Sequence, residues 1–338
     1  MAAFGNYHQV AFAGWSVYWR LPVASGGGLE VWWADFQGHR VLWRGSQPFA
    51  LVPYHGLSPT YKDGLDARCG GAPFTALKHT TPNSWAQAPG PDAASVDTDA
   101  VVVKNEPADD FNPAKLIISA KFQCGWYQYV HSWEFSSDGV ITPRVAMGGH
   151  LHPSKSGVAH VHHMYFRIDL DIDGQFPRDV CEVFNHNNFN QPGGDQWTVI
   201  ATQGKQLHDP DKARKWRVRN TISKNDAGQF KGYEIELPRE AGRDQFSTGD
   251  IWVTIYRGDG FQQGENVGSN CTDKELETNY ANGPLHPANG DDIVLWMVVR
   301  AHHEPRNLGE EADHLPYHYE EFAIVPRSFV NARAASHR

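Results

Sequence analysis

The chain has 338 residues, of which 40% are hydrophobic and 20% charged, and this length is sufficient for a substantial buried core. Its formal net charge is −9 and it contains no basic run, which argues against a nucleic-acid-binding protein. No segment is apolar for long enough to span a membrane, and the N-terminal residues lack the basic and apolar regions of a secretory signal. We therefore expect a cytoplasmic protein with no nucleic-acid or membrane partner.

Segments typical of β-strands follow one another along almost the whole chain. The first half contains, in order, GWSVYWRLPV, GLEVWWADF, HRVLWRG, DAVVVKN, AKLIISAKFQ, WYQYVHSWEF and VITPRVAM. The second half contains VAHVHHMYFRIDLDI, WTVIATQ, KWRVRNTI, GYEIELP, DIWVTIYR, DIVLWMVVRAHH and EEFAIVP. Because no segment resembles a long amphipathic helix or a domain linker, we predict a single all-β domain over residues 1–338, folded as a large β-sandwich.

The connections between these strands include one short turn and two long loops. The letters SSDG between Phe135 and Val140 are typical of a hairpin turn. Residues 74–95 and 258–290 are rich in glycine, proline and polar residues, and we predict that both are loops.

The segment AHVHHMYFRIDLDIDG contains a candidate metal site. On a strand, residues two apart point to the same face, so His160 and His162 are expected to face one way and His163 the other. Such a pair can bind copper, zinc, iron or nickel, provided that a third ligand comes from elsewhere, and AHHEP near the C-terminus offers two further histidines. With 18 histidines in the chain, a second pair in GHLHP shows that this pattern also arises by chance.

Six segments together resemble the copper-containing, topaquinone-dependent amine oxidases. They are VPYHG followed by YKDG, LIISAKFQCGWYQYVHSWEFSSDG, HVHHMYFRIDLDIDG, DIWVTIYRGDGFQQGE, NGDDIVLWMVVRAHHEPR and LPYHYEEFAIVPRSF. The resemblance covers nearly the whole chain and corresponds to the family's large C-terminal catalytic β-sandwich, the supersandwich. It implies that the small N-terminal domains usual in the family are absent.

The resemblance implies a copper site and a catalytic base. The copper ligands would be His160, His162 and His303, and Asp63 would be the base that removes a proton from the substrate. Taken on its own, an Asp before a Gly is a common turn pair, so the assignment of Asp63 depends on the Tyr-x-Asp frame after VPY.

The resemblance also assigns three tyrosines. Tyr127 would be the tyrosine that copper and O2 convert to topaquinone, Tyr54 would hydrogen-bond the quinone, and Tyr61 would act as a gate near the substrate channel. The family's activity is oxidative deamination of a primary amine, with O2 as the second substrate, and its members are homodimers.

A peripheral cation site is a further implication of the resemblance. The corresponding ligands, which are oxygens and therefore suit calcium, are Asp169, the Leu170 carbonyl, Asp171, Asp292 and the Ile293 carbonyl. An alternative interpretation is that these carboxylates belong to turns.

The sequence departs from the family around the tyrosine that should be modified. Trp126 replaces the family's Asn, Gln128 replaces Asp or Glu, and Gln123 replaces Thr. A Trp side chain is much larger than Asn and could stack on the cofactor or occupy the substrate wedge, so Tyr127 could stay unmodified. If the strand is regular, Cys124 shares a face with Trp126 and not with Tyr127.

The cysteines also differ from the family pattern. The family's disulfide is not matched, because its second position corresponds to a valine in AVVVKN. The four cysteines, Cys69, Cys124, Cys181 and Cys271, form no C-x-x-C pair, which argues against a thiolate zinc site. The simplest interpretation is that all four are buried small hydrophobic residues, and free cysteines would agree with a cytoplasmic location. The sequence leaves the disulfide state open.

Three functions stay open from the sequence. The first is a copper amine oxidase that uses a tyrosine-derived quinone. The second is a quinone-free mononuclear copper oxidase or oxygenase that acts on a specialised metabolite, suggested by Trp126 and Gln128. The third is a copper-binding module without catalytic activity, which the retention of Asp63 beside three metal ligands argues against.

Overall fold

The computed structural model describes ten stretches of the chain, with backbone alone for 57–59 and 315–318: residues 7–22, 27–54, 57–77, 100–149, 158–174, 177–186, 196–238, 242–257, 270–303 and 315–329. In these stretches the regular structure is almost entirely antiparallel β-strand, arranged in two large sheets. The prediction of an all-β sandwich is therefore confirmed.

The first sheet has nine strands in the order β1-β2-β3-β4-β11-β18-β17-β14, with β5 paired to β4. Their bounds are β1 His8–Phe12, β2 Trp15–Arg20, β3 Glu30–Phe36, β4 His39–Tyr54, β5 Leu57–Gly64, β11 His160–Leu170, β14 Gly204–Gln206, β17 Ile251–Ile255 and β18 Ile293–His303.

The second sheet has eleven strands in the order β13-β12-β15-β16-β20-β10-β9-β8-β6, with β19 paired to β10 and β7 to β8. Their bounds are β6 Thr75–Ala76, β7 Val101–Glu106, β8 Lys115–Cys124, β9 Tyr127–Ser136, β10 Ile141–Gly149, β12 Asp179–Asn185, β13 Gln196–Val199, β15 Lys215–Lys224, β16 Phe230–Glu236, β19 Leu315–Glu321 and β20 Ala323–Arg327.

The main hydrophobic core lies between the two sheets. Strand β2, with sequence WSVYWR, alternates strictly between buried and half-buried residues, as expected of a strand with one face in a core. Phe166 from the first sheet and Trp133 from the second meet edge to face in this core, with ring centroids 6.3 Å apart. Gly45 permits this packing, because a Cβ at that position would overlap the Trp133 ring.

The predicted elements differ from the structure in several places, and strands β1, β12 and β14 match no predicted segment. Strand β5 was not predicted, since its Pro and its Asp-Gly pair are typical of loops, but pairing with β4 makes it a strand. The predicted loop 258–290 contains the short π-helix Leu276–Tyr280, and residues 258–269 lie outside the described residues. Strand β6 lies within the predicted loop 74–95, of which residues 78–95 are likewise not described.

Helices in the described part of the chain are few and short. Two are 3-10 turns, Ile172–Gly174 and Pro210–Lys212, and the third is the π-helix Leu276–Tyr280. None of these described helices is long and apolar enough to cross a membrane. The SSDG hairpin is confirmed: Gly139 has a φ of 91°, and Ser136 N–H donates to the Val140 carbonyl over 2.9 Å.

The interpretation of all four cysteines as free is wrong for two of them, and the disulfide state that the sequence left open is decided by the fold. Cys69 and Cys271 form a disulfide that joins segments 202 residues apart, with their Cα atoms separated by 6.6 Å. Spacing along the sequence could not reveal this pair, since only the fold brings the two segments together. Cys124 and Cys181 are free and buried, as predicted.

Candidate metal centre and active site

Three histidines from neighbouring strands converge at one end of the first sheet. In the antiparallel pairing of β11 with β18, His160 lies directly opposite His303, and His162 follows on the same face of β11. All three side chains are buried. His160 Nε2 lies 3.1 Å from His162 Nε2 and 3.2 Å from His303 Nδ1. The residues predicted as copper ligands are thus brought together by strand register.

Hydrogen bonds on the outer side orient two of these imidazole rings. His160 Nδ1 lies 2.8 Å from the Val158 carbonyl, and His162 Nδ1 lies 2.8 Å from the Tyr129 hydroxyl. A carbonyl can only accept, so the His160 proton is on Nδ1 and the lone pair of Nε2 points into the centre. Ring orientation by such outer contacts is what a metal ligand requires.

The donor set fits a single transition-metal ion. If two nitrogens each lie about 2.0 Å from one ion and subtend roughly a right angle at it, they are about 2.8 Å apart. The distances of 3.1 and 3.2 Å between the histidine nitrogens are close to this value. Three imidazoles without thiolate or carboxylate suit copper among the metals that imidazole binds. His163 points to the opposite face, as predicted, where its Nε2 lies 2.9 Å from Asp244 and its Nδ1 accepts from Arg300.

Tyr127 reaches the metal centre from the opposite sheet. It begins strand β9, and its hydroxyl lies 2.9 Å from His160 Nε2 and 2.7 Å from the Tyr54 hydroxyl. Tyr54 lies opposite His160 in the pairing of β4 with β11, and the two rings stack with centroids 4.2 Å apart. Burial raises the pKa of Tyr54 to about 12, and both burial and the adjacent Tyr54 raise that of Tyr127.

Asp63 lies close to Tyr127 in a buried position on β5. It accepts hydrogen bonds from the Tyr129 hydroxyl over 3.1 Å and from the Ala72 backbone N–H over 3.2 Å. Burial raises the pKa of Asp63 to about 6, against the lowering effect of these bonds and of a hydrogen bond with the Cys124 thiol. A carboxylate with a pKa in this range can accept a proton near neutral pH.

A cleft of about 100 Å³ exposes Asp63 and Tyr127 to the same space. Its walls include Tyr54, Tyr61 and Trp126, and the Tyr54 and Tyr61 rings meet edge to face at 5.6 Å. Trp126 is 48% exposed, so its ring borders both the cleft and the solvent. The structure therefore places the predicted tyrosines and Trp126 around the candidate base.

The expectation about Cys124 is wrong. Gly125 and Trp126 form the turn of a hairpin, so Cys124 and Tyr127 lie directly opposite each other and share a face. The sequence argument assumed one regular strand through this segment. Gln123 and Gln128, two of the departures from the family, hold the same hairpin, since Gln128 donates to Gln123 and Gln123 donates to the Tyr127 carbonyl.

The disulfide lies next to the segment that supports Asp63. Cys69 immediately precedes Gly70, which lines the cleft, and Gly71, where a Cβ would overlap the Lys62 carbonyl. Ala72, which donates to Asp63, also accepts a hydrogen bond from the Cys124 thiol over 2.9 Å. The disulfide thus anchors a tightly packed loop beneath the candidate base.

The predicted peripheral site lies at the other end of β11. Asp169 is buried and pairs with Arg167 Nη2 at 2.8 Å. Burial, together with the nearby Asp169 charge, raises the pKa of Asp171 to about 6 and that of Asp292 to about 8. Leu170 ends β11 and Ile293 begins β18. Among the described residues, the three histidines are the one group of three or more His, Cys, Asp or Glu side chains whose ligand atoms lie within 4.8 Å of one another, so a calcium site here stays a prediction.

Two contacts of the site were missed from the sequence: Tyr129, which touches both Asp63 and His162, and the Cys124 thiol beside Asp63. Tyr129 could have been found by the rule applied to the histidines, because it lies two residues after Tyr127 on a strand and so shares its face. No local signal indicates that Cys124 lies beside Asp63, which comes from another sheet.

Comparison with known proteins identifies the family. Residues 102–337 match the model of the copper amine oxidase enzyme domain. The chain belongs to the copper amine oxidase family. The matched range includes all three histidines and Tyr127, whereas Tyr54, Tyr61 and Asp63 precede it.

Named relatives and solved structures agree with this family. The chain is 26% identical over 264 residues to a peroxisomal copper-containing diamine oxidase of Nicotiana tabacum, covering 65% of this chain and 33% of the relative. For an N-methylputrescine oxidase of the same plant the identity and coverage are the same. A copper-containing benzylamine oxidase from Hansenula polymorpha shares the fold, with a TM-score of 0.75, 20% identity and coverage of 95% of this chain and 60% of that one. The chain spans about a third of the length of these curated relatives.

Proposed function

We propose that this chain carries the catalytic domain of a copper-dependent oxidase that oxidatively deaminates a primary amine with O2 through a quinone derived from Tyr127. The observation that carries the proposal is the position of the Tyr127 hydroxyl, 2.9 Å from a nitrogen of the three-histidine centre and in the same cleft as Asp63. Family membership and the fit of the histidines to copper support it.

The chemistry divides between the bound groups and the chain's own residues. Copper and the quinone would supply the two-electron sink needed to convert an amine to an aldehyde. Asp63 would accept the proton from the carbon that bears the nitrogen, and Tyr129 and Ala72 hold the carboxylate by hydrogen bonds. Tyr54 holds the Tyr127 hydroxyl. The aromatic walls of the cleft would exclude water from the substrate's apolar part.

The quinone is tested by intact mass. Purified copper-free protein would be exposed to Cu²⁺ and O2, and conversion of Tyr127 to topaquinone should add two oxygens and remove two hydrogens, a gain of about 30 Da, with H2O2 as the second product. The Tyr127→Phe variant is the matched control and should show no gain. Phenylhydrazine should label the treated wild-type protein and not the variant.

The same experiment decides the quinone-free alternative. Trp126 in the cleft wall and the Gln123–Gln128 pair at the hairpin motivate it. If the mass does not change and copper-dependent O2 consumption persists in Tyr127→Phe, the protein is a quinone-free copper oxidase. If copper binds but no amine or reductant supports O2 consumption, the chain is a copper-binding module.

Location and assembly stay proposals. We propose a homodimer, which light scattering of the purified protein would check. A cytoplasmic location, expected from the sequence, is opposed by the Cys69–Cys271 disulfide, because disulfides persist in oxidising compartments. Thiol labelling of the protein in unbroken cells would measure whether this pair is reduced there.

A further inference from the structure

Tyr129 connects the candidate base to a metal ligand. Its side chain is fully buried on β9, two residues after Tyr127. Its hydroxyl lies 3.1 Å from Asp63 Oδ2 and 2.8 Å from His162 Nδ1. A single oxygen atom thus contacts a carboxylate from one strand of the first sheet and an imidazole from another.

The direction of these hydrogen bonds follows from the chemistry of the groups. An ionised carboxylate can only accept, so the Tyr129 O–H donates to Asp63. The Tyr129 oxygen is then left to accept, and His162 must donate its Nδ1–H. That places the lone pair of His162 on Nε2, the atom that faces His160 at 3.1 Å. One arrangement of protons therefore satisfies the carboxylate, the phenol and the ligand together.

We propose that Tyr129 is a positioning residue that couples the charge of Asp63 to the metal affinity of His162. The ionised carboxylate holds the Tyr129 proton, and this leaves the Tyr129 oxygen free to fix the ligand tautomer of His162. The coupling is reciprocal: a cation at Nε2 strengthens the His162 N–H donor, which polarises the Tyr129 hydroxyl toward the carboxylate. The expected effect on catalysis rests on the proposed base role of Asp63. The expected effects on copper affinity do not.

The surroundings of Asp63 leave few other routes for such coupling. The groups that interact with it are the Tyr129, Tyr127 and Tyr54 phenols, the Cys124 thiol and the Ala72 N–H. Among the described residues, Tyr129 hydrogen-bonds both the carboxylate and one of the three histidines. The Tyr129 ring also packs edge to face on Phe74, with centroids 5.4 Å apart. A Tyr129→Phe substitution therefore keeps the packing and removes only the hydroxyl.

The first test measures copper affinity, which needs no catalytic activity. Copper-free protein would be titrated with Cu²⁺ against a competing chelator at pH 7.5. We expect Tyr129→Phe to bind copper about 10–100-fold more weakly, the usual effect of removing a group that orients a metal ligand. Tyr165→Phe, which removes another buried hydroxyl, bonded to Ser247 Oγ at 2.7 Å, is the matched control and should bind as wild type.

The second test asks whether Asp63 acts through Tyr129. Asp63→Ala should also weaken copper binding, although Asp63 does not touch any of the three histidines. In the Tyr129→Phe background the same Asp63→Ala change should have no further effect, because the connection is already broken. Melting temperatures of all variants would establish that each is folded.

Activity gives a third and separate readout. The acid limb of kcat/KM should move to higher pH in Tyr129→Phe, because Asp63 loses a hydrogen bond that favours its ionised form. Copper affinity equal to wild type in Tyr129→Phe, or additive losses in the double variant, would overturn the inference. An inactive wild-type protein would count against the proposed function, while the two affinity tests would still decide the role of Tyr129.

Discussion

The two ends of strand β11 contain two different kinds of buried polar site. At its start, three imidazoles converge, and neighbouring oxygens orient His160 and His162. Toward its end, Asp169 needs the guanidinium of Arg167 beside it, and nearby acidic groups have raised pKa values. The difference shows that imidazole ligands can be assembled by hydrogen bonds alone, whereas several buried carboxylates close together require a positive charge or a proton.

Removing a ligand at the histidine end should have the largest effect. His303→Ala leaves two imidazoles, and we expect copper affinity to fall by more than about 100-fold with loss of all copper-dependent activity. His302→Ala is the matched control, because His302 is exposed and faces the other way. Chelator competition measures both; retention of tight copper binding in His303→Ala would contradict the assignment of the ligands.

Asp63 is buried without a paired cation, and the pH dependence of activity tests whether it acts as the base. Its pKa is raised to about 6, so the ionised, proton-accepting form predominates above that pH and is lost below it. We expect kcat/KM to rise with pH through about 6. Asp63→Asn should lower kcat/KM by roughly 100- to 10,000-fold. A pH profile of the wild type without an acid limb near 6 would count against this residue as the base.

Replacing Arg167 tests how much this guanidinium stabilises the buried Asp169 carboxylate at the far end of β11. Arg167→Met leaves Asp169 buried without its partner, and we expect the free energy of unfolding to fall by about 3–5 kcal/mol. The partly buried Arg219, paired with Glu182 at 3.0 Å, is the control. Its replacement by Met should cost about 1 kcal/mol or less, because Glu182 keeps its hydrogen bond with Arg217. Denaturant unfolding measures both. An equal loss in the two variants would show that burial does not distinguish the pairs.

Replacing Asp292 should have the smallest effect on stability, and it should stabilise the protein, not destabilise it. Its folded pKa lies above that of an ordinary Asp, so ionising it opposes folding increasingly as the pH rises from about 4 to 8. Asp292→Asn removes this cost, and we expect the melting temperature to increase by about 1–3 °C at pH 8 and not at pH 4.

Adding Ca²⁺ tests whether Asp292 is a calcium ligand. If the predicted cation binds here, added Ca²⁺ should raise the melting temperature of the wild type more than that of Asp292→Asn. Equal responses would remove Asp292 from the calcium ligands. A melting temperature that falls in the variant at pH 8 would show that the Asp292 carboxylate is already compensated.

The predictable part of the site consists of three pairs of residues two apart. His160 and His162, Tyr61 and Asp63, and Tyr127 with Tyr129 each share a face because strand geometry alternates side chains. The first pair could be argued from the sequence directly. The second was assigned through the family resemblance, because Asp-Gly alone favours a turn and β5 becomes a strand only by pairing with β4.

What the sequence by itself determined is local: the strand periodicity, the all-β class, the H-x-H face and, through ordered motifs, the family. Which atoms meet was decided by tertiary structure. The β11–β18 register sets His303 against His160, the stacking of the sheets brings Tyr127 and Tyr129 to β5 and β11, and the chain path joins Cys69 to Cys271. The physical reason is that alternation along a strand fixes the direction of a side chain, whereas its partners depend on strand register and sheet packing, which join residues far apart in sequence.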